Sequence, residues 1–108
     1  ASVDSIPSSA NQEDHVSMGT TGARKARKIM ANVIRVLGIE LMCAAQACEF
    51  MGPEGLGRGT AAAYKAIRQR VAPLHEDRIL YPDIEACAEL IRSGELVKAV
   101  EAAVGPLA

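Results

Sequence analysis

The chain has 108 residues, 49% of them hydrophobic but only 3% aromatic, and a formal charge of −1 from 12 basic and 13 acidic side chains. That length fits one domain or part of one, and near-neutral charge supplies no long-range field to draw nucleic acid or an anionic membrane. With no Trp and a single Phe, packing falls to Ala, Val, Leu, Ile and Met, which suits closely approaching helices better than a small β-sandwich.

Residues 1–16 read as an irregular segment: four Ser and Pro7 precede Asn11, and Pro7 with Ser8-Ser9 opposes regular structure. The polar start shows no signal peptide and no initiating Met, as expected of a piece of a longer chain or a processed product.

A long helix is predicted over 17–51, with Ser17 as the natural N-cap and Gly52-Pro53 as the stop. Its start is blurred by Gly19 and Gly22, and about 30 helical residues would span roughly 45 Å, more than a globule of this size uses alone. Its stretch from Ala31 to Met51 is about as long as a bilayer span but carries Asn32, Arg35, Glu40, Gln46 and Glu49, each costly in hydrocarbon. A bundle helix with neighbours on more than one side is the better expectation. Gly38 in its middle costs about 1 kcal/mol relative to Ala, and close approach of a second helix would account for it.

Residues 52–108 form a C-terminal helical region. After a loop with four glycines, a second helix is expected from an N-cap at Thr60 to Val71, with Tyr64, Ile67 and Val71 in one apolar stripe. Leu74–Leu80 connects it to a third helix opened by Pro82, whose inward face is Ile84, Cys87, Ala88 and Ile91. Ser93-Gly94 breaks the chain before a short fourth helix with Leu96, Val100 and Ala103 inward, closed by Gly105-Pro106. No strand pattern competes. The expected class is all-α: one long bundle helix followed by three shorter helices, the C-terminal part of a larger helical enzyme.

The cysteines, Cys43, Cys48 and Cys87, are odd in number and lack Cys-x-x-Cys spacing, which argues against a disulfide framework or a thiolate metal site. They are expected to be small buried hydrophobes in a reducing, cytoplasmic setting.

The densest chemistry lies in Asn11-Gln12-Glu13-Asp14-His15, two amides, two carboxylates and an imidazole just before the long helix. Loops held by a rigid element are favoured places for reactive groups, whereas a solvated entry loop whose acids complement the helix N-terminus explains the same residues. A metal site there is disfavoured, because one His and two consecutive acids make a poor ligand set. Arg24, Lys25, Arg27 and Lys28 read as the wet face of the long helix rather than a nucleic-acid patch, since no aromatics interleave them. His75 is expected at the surface, with a weak local pair between Asp77 and Arg78.

The run Ser9-Ala10-Asn11-Gln12-Glu13-Asp14-His15-Val16-Ser17-Met18-Gly19 resembles the signature of histidine ammonia-lyases. Ala23-Arg24-Lys25, Leu41-Met42-Cys43-Ala44-Ala45-Gln46-Ala47 and Asp77-Arg78-Ile79-Leu80-Tyr81-Pro82-Asp83-Ile84 are similar to the same family in the same order. The resemblance implies non-oxidative deamination of L-histidine to trans-urocanate and ammonia by a cytoplasmic homotetramer with active sites shared between subunits, and no nucleic-acid or membrane partner. It also implies a methylidene-imidazolone electrophile made from an internal Ala-Ser-Gly; none occurs here, so the group and the catalytic tyrosine belong to the rest of the lyase polypeptide, and this chain alone is expected to be inactive. What it contributes, by the resemblance, is Glu13 as catalytic and substrate-binding carboxylate, with Gln12 as a second pocket residue. A carboxylate there can accept hydrogen bonds from an imidazole N–H or an ammonium, and can move a proton if burial raises its pKa. A tyrosine or phenylalanine ammonia-lyase or aminomutase of the same family is the alternative, as is a helical module that only oligomerises.

Overall fold

A computed structural model of the chain describes residues 9–12 and 17–107. The described residues are helical and turn-forming with no strand, in the order of one tight turn, Ser9–Asn11, then α1 (Gly19–Met51), a 3-10 turn at Pro53–Gly55, α2 (Arg58–Arg68), α3 (Tyr81–Arg92) and α4 (Glu95–Val104). The all-α expectation of one long helix and three short ones holds. The chain divides at Asn32–Val33, within α1, into an N-terminal and a C-terminal unit.

In the N-terminal unit, α1 starts two residues after Ser17, and the Gly22 amide donates to the Met18 carbonyl at 2.8 Å. Ser17 thus precedes the helix rather than capping it from the adjacent position. Arg24, Lys25, Arg27 and Lys28 are all exposed, as a solvated face requires.

In the C-terminal unit, the core is small and made from one side of α1, α2 and α3: Ala45 of α1, Ile67 of α2 and Val71 just beyond it, and Cys87, Ala88 and Leu90 of α3, all at most 3% exposed. Leu41, Met42, Tyr64, Ala86 and Leu96 pack around this centre. At Gly38 the backbones of α1 and α3 approach closely. A Cβ placed on it would sit 3.1 Å from both the Ala88 amide nitrogen and the Ile84 carbonyl oxygen of α3. A side chain there would press on the α3 backbone, which accounts for a helix-destabilising residue in mid-helix.

Three local expectations change. Thr60 does not cap α2: the helix begins at Arg58 with Gly57 before it. The earlier start places Gly59 against Val100 and Val104 of α4, while Arg58 donates to the Ala103 carbonyl. Arg78 pairs not with Asp77 but with Asp83 in the first turn of α3, and also donates to the Pro73 and Ala72 carbonyls at 3.1 and 2.8 Å. Neighbours in a non-helical loop point apart, whereas the α3 N-terminus favours a carboxylate and brings one within reach. Of the three cysteines only Cys87 is buried; Cys43 is exposed and Cys48 half-buried. Five residues on a helix turn them too far apart for both to face one core.

Candidate functional site

The segment singled out for chemistry is only partly within the described residues. Glu13 lies outside them, as do Asp14 and His15. Gln12 is exposed, in a turn. Immediately before it, Ala10 and Asn11 have φ of +58° and +65°, the left-handed region that Asn tolerates and Ala avoids at a cost of about 1 kcal/mol. His75 is exposed, as expected.

The C-terminal unit contains a polar network that the sequence alone does not announce. Glu49, near the end of α1, accepts hydrogen bonds from the Tyr64 hydroxyl and from Arg68 Nε, the latter at 2.8 Å. Arg68 is 11% exposed at its side chain, lies over the Tyr64 ring at 5.5 Å, and also reaches the Val71 carbonyl. Gln46, one turn before Glu49, binds both backbone groups of Leu74. Its Oε1 accepts from the Leu74 amide at 2.9 Å and its Nε2 donates to the Leu74 carbonyl at 3.2 Å. The Tyr64 hydroxyl, and after it Arg68, holds the Glu49 carboxyl below the usual range. The same bond to Glu49, with burial, raises the Tyr64 phenol above its own. Burial, with Asp83 nearby, raises the Cys87 thiol. That thiol is inert by exposure and protonation alike.

This network fastens α2 to α1 by charge-assisted bonds to Glu49 and the following connector to α1 by the neutral amide bonds of Gln46. Beside it runs an apolar groove lined by Leu41, Ala44 and Cys48 of α1 and Thr60, Ala63 and Ile67 of α2. One carboxylate oxygen of Glu49 is tied into structural bonds to Tyr64 and Arg68, and the groove offers no polar surface. Of the Gln12-Glu13 pair, the described residues include only Gln12, in its exposed turn.

A family model for aromatic amino acid lyases matches residues 1–69. A histidine ammonia-lyase of Symbiobacterium thermophilum is 75% identical over 107 residues, 99% of this chain and 21% of the relative. A histidine ammonia-lyase of Alkaliphilus oremlandii is 62% identical over 104 residues, covering 96% and 20%. The crystal structure of a tyrosine aminomutase from Streptomyces globisporus superposes with a TM-score of 0.83 at 36% identity, over 91% of this chain and 19% of that one. The chain therefore spans about a fifth of the length of the relatives it matches. With 69 of 108 residues inside the family model and an all-helical architecture shared with a solved member, the chain belongs to the aromatic amino acid lyase family.

Proposed function

We propose that these residues are the C-terminal part of a histidine ammonia-lyase, which removes ammonia from L-histidine by breaking Cα–N, losing a Cβ proton and forming the Cα=Cβ bond of trans-urocanate. The observation that carries the choice of substrate is the identity of 75% to a histidine ammonia-lyase against 36% to a tyrosine aminomutase. Tyrosine or phenylalanine lyases and aminomutases are the second reading, supported by that same solved structure.

In this proposal Glu13 is the chain's catalytic carboxylate. It receives the imidazole N–H or the ammonium and takes part in proton movement as ammonia departs, with Gln12 beside it on the pocket wall. The methylidene-imidazolone finds no home among the residues described: the chain has no Ala-Ser-Gly, and the groove between α1 and α2 has no polar surface to hold it. It belongs to polypeptide outside this chain, no step is routed through it here, and the isolated chain is inactive.

The same reading makes α1 a bundle helix of a cytoplasmic homotetramer rather than a membrane span or a nucleic-acid grip. By length and composition α1 would suffice to cross a membrane, but Gln46 and Glu49 are committed to hydrogen bonds with α2 and the connector after it. On its opposite side Val33, Val36, Glu40, Cys43, Ala47 and Phe50 are all exposed. Their alternating spacings of three and four are those by which one helix seats into another.

The test is Glu13→Ala in a complete lyase whose corresponding segment is these residues, assayed for ammonia and for the conjugated acid from histidine and from tyrosine. Turnover of histidine should fall about a hundredfold or more with the tetramer intact. Normal turnover of histidine by the variant would remove Glu13 from the chemistry, and preference of the parent enzyme for tyrosine would favour the second reading.

A further inference from the structure

The helices of the C-terminal unit hold their backbones by their own ladders, whereas the connector between α2 and α3 is held by side chains. Among the described residues, no amide or carbonyl from residue 72 to residue 79 is paired with another backbone group. Two fastenings stand in for a ladder. Gln46 of α1 accepts from the Leu74 amide at 2.9 Å and donates to the Leu74 carbonyl at 3.2 Å. Arg78 folds back to donate to the Ala72 and Pro73 carbonyls at 2.8 and 3.1 Å, and is itself held by Asp83 of α3 at 3.0 Å. The ends of the stretch are fixed differently. Val71 is 2% exposed in the core, and the Leu80 carbonyl accepts from the Ile84 amide in the first turn of α3. Between these ends only Pro73 and Leu74 are half-buried, and the other residues are exposed.

We propose that residues 72–79 form a latched strap, which opens and closes as one unit between its fixed ends while α2 and α3 stay folded, with Gln46 and the Arg78–Asp83 pair as its two latches. Few hydrogen bonds and little apolar surface hold such a stretch, and segments of that kind open well below the free energy of global unfolding. The two latches bear on one another. Arg78 grips the carbonyls of the two residues just before Leu74, the residue that Gln46 grips. Freeing either end of the strap therefore loosens the other. One latch reaches in from α1 and the other from α3, so the strap ties both to the end of α2. It is a property of this chain's own contacts, whatever the substrate of the whole enzyme.

The experiment reads each latch at the opposite end, in the complete enzyme that contains these residues. Two quantities are followed by mass spectrometry: hydrogen exchange at the Leu74 amide, and cleavage of the Arg78–Ile79 bond by trypsin at low protease. Gln46→Ala, which touches neither Arg78 nor Asp83, should speed the cleavage about fivefold. Asp83→Ala, which does not touch Leu74, should speed exchange at its amide about threefold. In both variants the amides of Ile67, Cys87 and Leu90 should change by less than about twofold. If either alanine variant does not assemble, Gln46→Glu, which keeps the acceptor and loses the donor, or Asp83→Asn, which loses the charge, carries the same crossed reading with a smaller factor in the same direction. Substitutions that act only at their own end would overturn the proposal, because the strap would then be two independent contacts. Acceleration of the Ile67, Cys87 and Leu90 amides in step with Leu74 would overturn it as well, since the opening would then be global unfolding. So would a parent enzyme in which Leu74 exchanges as slowly as those three.

Discussion

The two sides of the C-terminal half of α1 are chemically alike and structurally opposite. One side, Gly38, Leu41, Met42 and Ala45, is closed against α2 and α3, with Gln46 and Glu49 tied into hydrogen bonds. The other presents Val36 at 62% exposure, Phe50 at 82% and Met51 at 87%. Apolar composition alone does not say whether a helix face has a partner within its own chain. The difference lies in which small residues meet a neighbour: Gly38 and Ala45 are buried, whereas Cys43 and Ala47 are exposed. Where Gly38 and Ala45 stand, neighbouring backbones can reach the helix, and where Val36 and Phe50 stand, only another molecule or another part of the polypeptide could interlock.

Substitutions on the two sides should therefore separate cleanly. The largest effect is expected for Gly38→Val, whose side chain meets the backbone of Ile84 and Ala88 and cannot be relieved by a rotamer change. We expect a loss of about 3 kcal/mol in denaturant unfolding; a loss below about 1 kcal/mol would mean that α3 moves away freely. Next is Gln46→Ala, which strands both backbone groups of Leu74 and should cost about 1 kcal/mol, with faster hydrogen exchange at the Leu74 amide.

Glu49→Gln should be smaller and pH-dependent. The folded carboxyl lies below its ordinary value, chiefly because of the Tyr64 hydroxyl. Its contribution is therefore complete above the unfolded carboxylate pKa and disappears as pH falls through the lower folded one. The stability difference between Glu49→Gln and the parent should accordingly shrink between pH 6 and about pH 3, and a difference that grew on acidification would contradict the assignment. Smallest of all for folding is Val36→Ser on the open side, within about 0.5 kcal/mol for the separate subunit. Its consequence should appear instead as weakened assembly in sedimentation of the complete enzyme.

Much of the architecture could be read from residue spacing. Gly52-Pro53 and Ser93-Gly94 end helices where chain breakers should, Ile67, Val71, Cys87 and Ala88 are buried where periodicity puts them, and the mid-helix Gly38 marks a real close approach. What escaped depends on distance along the chain rather than on local pattern. Arg78 chooses Asp83 over the adjacent Asp77, and Glu49, Tyr64, Arg68, Gln46 and Leu74 converge from three segments. Leu90, buried at 2%, belongs to a face wider than the stripe that periodicity marked. Nothing in the composition of Ser9-Ala10-Asn11 announces a left-handed alanine. Glu13 is proposed through resemblance alone, since a short polar loop has no periodicity to interpret, and it lies outside the described residues, while Gln12 is an exposed turn residue.

The narrow gap at Gly38 also acts as a gauge of rotational phase. Turning α1 by one residue, about 100°, would bring Leu37 or Ile39 to face α3, and neither could pass between the two backbones. A single hydrogen atom in place of a side chain thus decides which flank of a nearly uniformly oily rod is hidden. It thereby decides which flank is left exposed.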